Sequence, residues 1–378
     1  MNFLRRGIYL IIFCLPLYLI RLEIFNIPTT VLELMIYGLF LLWLINKGYK
    51  GLLMALKHER LLVWGIVLLI IGVSVATIFS WDLRLSAGIL KGWFIDAILF
   101  FLMFISIIKK EDIKNVFNVL ICSGFMVSII SLVYLIQGNF NYQGRLQGIY
   151  NSPNFLAMYL ALSLISSAVL FLIARSRLRR VFLIIVFLIL TVVLFFTKSF
   201  GALLGIVGAL ALGLIIYLYN RGKKKEVFGI IALVFIIILI IGFVKIKSIE
   251  GLKSFDARFV IWKTAIDSFK SYPVTGIGPG TFESYFPPYP KWGVPQPHNI
   301  FLAFLIQTGL VGFIGFILIL IWFFSSCGRP AVGWRQLVVL CLMAYILIHG
   351  LVDTTYWKND LAMMFWMIIG YAVVIKSD

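Results

Sequence analysis

Apolar residues in this chain run in long blocks separated by short polar or basic interruptions, so block length rather than periodicity carries the structural signal. Runs of about 17–25 apolar residues are long enough to cross the hydrocarbon core of a bilayer as helices. On that measure twelve spans are predicted, at approximately 7–20, 28–46, 61–80, 86–108, 113–136, 153–174, 180–197, 199–219, 226–246, 298–324, 334–351 and 359–375. The expected fold is an all-α polytopic membrane protein in which residues 1–378 form a single integral membrane domain. One long polar segment, residues 247–297, interrupts it between the ninth and tenth spans as a large extracytoplasmic loop.

Composition agrees with this reading. A chain that is 62% hydrophobic, with mean hydropathy +1.06, has more apolar surface than a soluble domain can hide. Of its 33 lysines and arginines, 20 fall in alternate loops: near Arg5/Arg6, Lys47–Arg60, Lys109–Lys114, Arg175–Arg180, Arg221–Lys225, Arg329/Arg335 and Lys376. By the positive-inside rule these loops face the cytoplasm, and so do both termini. The net charge of +18 is then a topological signal and an attraction to anionic headgroups, not a nucleic-acid footprint. The first span follows Arg5-Arg6 as a signal peptide would, but it lacks a small-residue cleavage site and reads as retained. Cys14, Cys122, Cys327 and Cys341 show no metal or disulfide spacing.

Three outer segments break the apolar pattern. Residues 137–154 gather amides and glycines around Arg145 and end at Pro153-Asn154, where Pro153 suits the first turn of the next helix; the segment is a solvated turn or a binding loop. The link Phe196–Gly201 must be a tight hairpin with Lys198 at the outer interface, either snorkelling to headgroups or holding a ligand. The long loop holds seven of the eleven prolines and ten aromatic residues, which argues against disorder. Within it, residues 256–271 read as an amphipathic helix on or near the membrane, with Asp256 as N-cap, Pro273 as terminator and Phe259, Trp262, Ile266 and Phe269 at helical spacing. Arg258 shares a stripe with Trp262, Ala265 and Phe269, and no acid shares it, so a phosphate is a fitting partner. Gly276-Ile277-Gly278-Pro279-Gly280 lacks the ending of a nucleotide loop and reads as a tight turn.

The loop closes on a proline-rich run and then His298-Asn299, where the chain re-enters the membrane. An imidazole at the bilayer surface, next to polar loops, is suited to proton chemistry on a lipid-borne substrate. Other ionisable groups at membrane depth are Glu33, Lys91 and Asp96, read as interhelical or interfacial contacts. His349 and Asp353, four apart, are read as sharing one helical face, either structurally or by sharing a proton.

Four pieces in this order resemble the bacterial O-antigen ligase and O-antigen polymerase superfamily, over roughly residues 140–370. They are Arg145-Leu-Gln-Gly-x-Tyr-x-x-Pro153-Asn154; Thr197-Lys-Ser199-x-Gly201-Ala; Arg258-x-x-x-Trp262 leading to Pro273-Val-Thr-Gly276-Ile-Gly278-Pro-Gly280; and His298-Asn299-x9-Gly309-x-x-Gly312. The second piece departs from the family's Ser-Arg-Gly by carrying Phe200, so Lys198 is the candidate replacement for that charge. The resemblance implies a GT-C-like glycosyltransferase that takes a glycan from undecaprenyl pyrophosphate to an acceptor on the outer face of the bacterial cytoplasmic membrane. It implies no metal and no cofactor. Arg145, Arg258 and Lys198 would hold the pyrophosphate, His298 would orient or deprotonate the acceptor hydroxyl, and Asn299, Asn154, His349 and Asp353 would support them.

The chemistry is coherent on its own terms: a pyrophosphate leaving group needs its charge neutralised and the attacking oxygen oriented, and in-line attack inverts the sugar carbon. A transporter or lipid flippase is the competing class, weighed down by the absence of an internal repeat and by polar residues that gather on one face rather than at mid-bilayer. A non-catalytic partner in polysaccharide export is a third reading. Within the enzyme class the pattern around His298 favours a ligase over a polymerase.

Overall fold

The computed structural model describes residues 2–227, 229–231, 249–285, 295–327 and 333–376, and it is a helical bundle. Eight of its described helices are long and apolar enough to cross a membrane: Arg60–Ile78, Leu83–Ile107, Lys110–Ile136, Pro153–Ile173, Arg177–Thr197, Phe200–Asn220, Ile300–Cys327 and Asn359–Lys376. Trp334–Gly350 is apolar but shorter. Most of the ninth expected span, 226–246, and the proline run 287–294 lie outside the described residues.

The first two expected spans are built differently. Helix α1 (Asn2–Phe13) has only 12 residues, because Pro16 cannot continue it and begins a 3-10 turn, Leu15–Leu19. A β-hairpin follows, β1 (Arg21–Ile24) against β2 (Ile27–Thr30), its turn made by Phe25 and Asn26 with positive φ. Helix α2 (Val31–Ile45) then starts on a capping box in which the Thr30 hydroxyl accepts from Glu33 N at 3.2 Å and the Glu33 carboxylate accepts from Thr30 N. The same carboxylate pairs with Lys91 at 2.8 Å, an interhelical contact.

Helix α3 (Tyr49–Leu56) leads to α4 (Arg60–Ile78). Next come α5 (Leu83–Ile89), a π turn at Leu90–Ile95, and α6 (Asp96–Ile107), which together form one long span. Helices α7 (Ile113–Ile136), α8 (Pro153–Ile173), α9 (Arg177–Thr197) and α10 (Phe200–Asn220) follow. Ser152 caps α8 and Pro153 occupies its first turn, as expected. The loop contains α11 (Ile249–Ser271) and the short α12 (Phe282–Tyr285); α13 (Ile300–Cys327), α14 (Trp334–Gly350) and α15 (Asn359–Lys376) complete the chain. Helices α8 and α15 are buried along most of their length and form the centre.

Two glycine contacts bring α4 and α13 together beneath the loop. A Cβ on Gly72 of α4 would sit 2.1 Å from Gly312 N, and one on Gly315 would sit 2.3 Å from Leu69 N, so the backbones of α4 and α13 touch along a seam that only small residues permit. Above the seam α13 is broken at Gly309, with φ 66° and ψ −179°. The break frees backbone groups that the loop then takes: Leu310 N donates to Pro273 O at 2.9 Å, and Ile277 N donates to Ile306 O at 2.8 Å. The glycine run is indeed a turn, with φ of 68°, 91° and 83° at Gly276, Gly278 and Gly280. Gln307, buried in α13, locks it by accepting from Gly280 N and donating to Gln296, each at 2.7 Å.

Helix α11 differs from its expected form in two ways. It begins at Ile249, seven residues before Asp256, so Asp256 is not its N-cap. Its buried line runs through Ile261, Ala265 and Ser268, with Arg258, Trp262 and Phe269 half-buried beside it, while Phe259 and Ile266 face outward. Packing against Ile306, Ile277 and Phe282 selects this face.

Candidate functional site

The polar segments singled out in the sequence converge at one end of the bundle. Asn141 opens an Asx turn, its side chain accepting from Gln143 N at 3.0 Å and Arg145 N at 2.9 Å. This delivers Arg145 to the end of α9, where Leu146 N donates to Phe196 O at 2.9 Å and Arg145 Nε donates to Thr197 O at 2.8 Å. A guanidinium at a helix C-terminus satisfies a free carbonyl and complements the helix dipole. Burial lowers the Arg145 pKa, and the Asp353 charge works against that shift.

From Arg145 a hydrogen-bonded chain runs across three elements. Its Nη2 donates to Asn154 Oδ1 in the first turn of α8, and Asn154 Nδ2 donates to Asp353 Oδ2 at 2.8 Å. The other Asp353 oxygen accepts from Thr354 N at 2.9 Å and meets His298 Nδ1 at 3.0 Å. Burial by itself would raise the Asp353 pKa, but its pairing with His298, the nearby His349 and the Thr354 amide hold the carboxyl well below the usual carboxylate range. An ionised carboxylate only accepts, so it fixes the His298 proton on Nδ1 and leaves the Nε2 lone pair outward. The His298 side chain is 35% exposed, against 7% for Asp353, which gives the outward nitrogen access to a substrate.

The backbone at His298 is left-handed, φ 49°, and so is Lys198, φ 48°, at the C-cap of α9. Lys198 is exposed, and its Nζ reaches over the Arg145 loop, 3.9 Å from the place of a Cβ on Gly144. Asn299 is the N-cap of α13: its Oδ1 accepts from Phe301 N and Leu302 N at 2.9 and 3.0 Å, and its Nδ2 donates to Leu351 O at 3.1 Å. Its place is therefore to fix the His298 backbone. Trp262 of α11 donates to Pro297 O at 3.1 Å, tying the Arg258 helix to the residue before His298.

The reading of His349 and Asp353 as one helical face is corrected. Helix α14 ends at Gly350, and Asp353 turns to His298 instead. His349 is buried, its Nδ1 2.8 Å from the Tyr345 hydroxyl and its Nε2 without a partner among the described residues. Gly201 explains how it fits, because a Cβ there would lie 2.6 Å from His349 Cδ2. Arg258 lies one turn before Trp262 on α11, the helix that the Trp262 bond ties to the residue before His298.

Sequence reasoning missed the Asp353–His298 pairing, the Thr197 carbonyl, Tyr345 and the Gln296–Gln307 lock. An acid at the outer end of an apolar tail and a glutamine inside an apolar span were the available signals. Among the described residues no group of three or more His, Cys, Asp or Glu side chains comes together as a metal-ligand set.

The fold and this site define an integral membrane protein that presents an imidazole–carboxylate pair, joined to an arginine, at one end of its bundle. Comparison with known proteins adds a match over part of the chain. Residues 185–317 match the family model described as O-antigen ligase, and this supports assigning the chain to the O-antigen ligase and polymerase family. The matched stretch carries Lys198, Arg258 and His298, whereas Arg145, Asn154 and Asp353 lie outside it. No curated protein matches the chain.

Proposed function

We propose that the protein is a glycosyltransferase of the O-antigen ligase type, transferring a glycan from undecaprenyl pyrophosphate to an acceptor hydroxyl at the outer face of the bacterial cytoplasmic membrane. The observation that carries this reading is the unbroken chain Arg145–Asn154–Asp353–His298, which couples a cation to a base. The family match supports the class of reaction. In this reading residues 1–378 are one GT-C-like membrane domain with cytoplasmic termini, and 247–297 is its extracytoplasmic loop.

The acceptor hydroxyl donates to His298 Nε2, and as its oxygen attacks C1 of the donor sugar the proton passes to the imidazole, whose new charge Asp353 stabilises. The C1–oxygen bond to pyrophosphate breaks in line, inverting C1 and releasing undecaprenyl pyrophosphate. Arg145, Arg258 and Lys198 take up the charge that develops on the leaving group, the part a divalent metal plays in other transferases.

His298→Ala is the test. Removal of a general base lowers turnover by about 10²–10⁴-fold, with a monodisperse protein and donor binding retained. Turnover within about tenfold of wild type, assayed with an undecaprenyl-pyrophosphate glycan and mass analysis of the product, overturns the role of His298. Offering a terminal lipid acceptor beside a second lipid-linked repeat unit separates ligase from polymerase by product mass.

A further inference from the structure

Far from the transfer site, at the end of the bundle that carries the basic loops, α1 and α7 leave a groove of about 360 Å³ between them. Both helices start at that end, so the order of residues along them gives depth. Arg6, Tyr9 and Asn118 line the end near the basic loops, whereas Leu10, Phe13, Val119 and Cys122 continue the wall inward. The lining is thus polar and cationic at one end and apolar along the rest. That polarity matches a phospholipid, which has a charged headgroup on an apolar chain.

The charge at the mouth is uncompensated. Arg6 is exposed and has no ion-pair or hydrogen-bond partner among the described residues. A second arginine reaches the groove lining, since Arg179 Nη2 donates to Asn118 Oδ1 at 2.9 Å. Asp112, the acid beside the groove, is already occupied: it accepts from Lys109 N at 3.0 Å, pairs with Arg5 at 3.0 Å and meets the Tyr9 hydroxyl at 3.4 Å. Arg6 and Arg179 therefore present net positive charge to any headgroup seated there.

We infer that this groove is a binding site for an anionic glycerophospholipid, its phosphate against Arg6 and Arg179 and one acyl chain along Leu10, Phe13, Val119 and Cys122. The site is independent of the transfer chemistry, so activity is not its readout.

The test uses the full chain purified in detergent with equal amounts of phosphatidylglycerol and phosphatidylcholine, and native mass spectrometry counts the lipids retained. Wild type should keep one more phosphatidylglycerol than phosphatidylcholine. Arg6→Gln should cut that preference by about fivefold, the effect of one basic contact at a lipid surface. Val119→Trp, which fills the groove and leaves the charges in place, should abolish retention of that lipid. Cys122→Trp, an exposed position further along the same wall, does the same should Val119→Trp fail to fold. Equal retention of both lipids by wild type overturns the inference, as does unchanged retention in Arg6→Gln or in the groove-filling variant.

Discussion

Asp353→Asn changes one atom at the centre of the proposed site and tests its logic most directly. In the native protein three donors converge on this buried carboxylate: His298 Nδ1 at 3.0 Å, Asn154 Nδ2 at 2.8 Å and Thr354 N at 2.9 Å. An amide has one accepting oxygen, so its NH₂ must face either Asn154 or His298. Facing His298, it donates to Nδ1 and moves the ring proton to Nε2, where no lone pair is left for the acceptor hydroxyl. Facing Asn154, it opposes another NH₂ and breaks the link to Arg145. A wrong-tautomer substitution of this kind in a Ser-His-Asp enzyme costs on the order of 10⁴ in turnover. Turnover should therefore fall about 10³–10⁴-fold, roughly 4–5.5 kcal/mol of transition-state stabilisation. The apparent donor affinity should change far less, because the asparagine keeps the shape of the pocket. The depressed carboxyl pKa sets the sign of the stability effect. The carboxylate's contribution is fully present above the ordinary range near pH ~4 and disappears only as pH falls through the depressed native value. The variant should accordingly lose thermal stability at neutral pH, and the gap from wild type should close on strong acidification. Initial rates at saturating donor, with separate donor binding, make the measurement. Turnover of Asp353→Asn within tenfold of wild type would refute the proposed pairing as the source of catalysis.

Arg145→Ala should weaken donor binding by about 10–100-fold, the worth of one or two charge-assisted hydrogen bonds, and Arg145→Lys should recover only part of it because one ammonium cannot serve Thr197, Asn154 and a phosphate together. Unchanged donor affinity in both variants would make Arg145 an interfacial charge. Gly309→Ala should lower the thermal midpoint and the yield of folded protein, since its Cβ would lie 2.1 Å from Val274 O at φ +66°; an unchanged midpoint would show that the kink does not hold the loop. Lys358 lies 3.7 Å from the centre of the Phe155 ring, and burial lowers its pKa to about 8 despite the opposing pull of Asp360. Between about pH 8 and the free lysine value near ~10.4 the unfolded chain binds more protons, so wild type should gain stability relative to Lys358→Met as pH rises through that window. A pH-independent difference in melting temperature would contradict this environment for Lys358.

Much of the architecture was legible because block length is a strong signal: α8, α9 and α10 fall within a few residues of the expected spans 153–174, 180–197 and 199–219. The hairpin at Arg21–Thr30 was hidden because two strands of four residues, Arg-Leu-Glu-Ile and Ile-Pro-Thr-Thr, are too short to carry a period, and the second runs into the expected span 28–46. For α11 a helical wheel supplied two candidate faces. The buried line, Ile261, Ala265 and Ser268, runs beside Arg258 and Trp262, a choice made by packing against Ile306 and Phe282. Residue types pointed to Arg145, Asn154, His298 and Asp353 one at a time. Their connection depends on where helices stop: four-residue spacing placed Asp353 with His349 only if α14 continued, and it ends at Gly350. That glycine sits where a Cβ would lie 2.7 Å from Ile300, next to the start of α13.

The left-handed backbones at Lys198 and His298 set stability against function at two positions. Such a conformation costs a side chain with a Cβ on the order of 1 kcal/mol relative to glycine, and both residues stand in it, at φ 48° and 49°. A selection that scores only thermal survival would thus enrich glycine at positions 198 and 298, and each gain in melting temperature would remove a group proposed to meet the substrate. Libraries sorted for robustness in detergent should drift toward inert protein through these two codons, whereas a screen that also reads transfer should hold both side chains fixed and find its stability elsewhere.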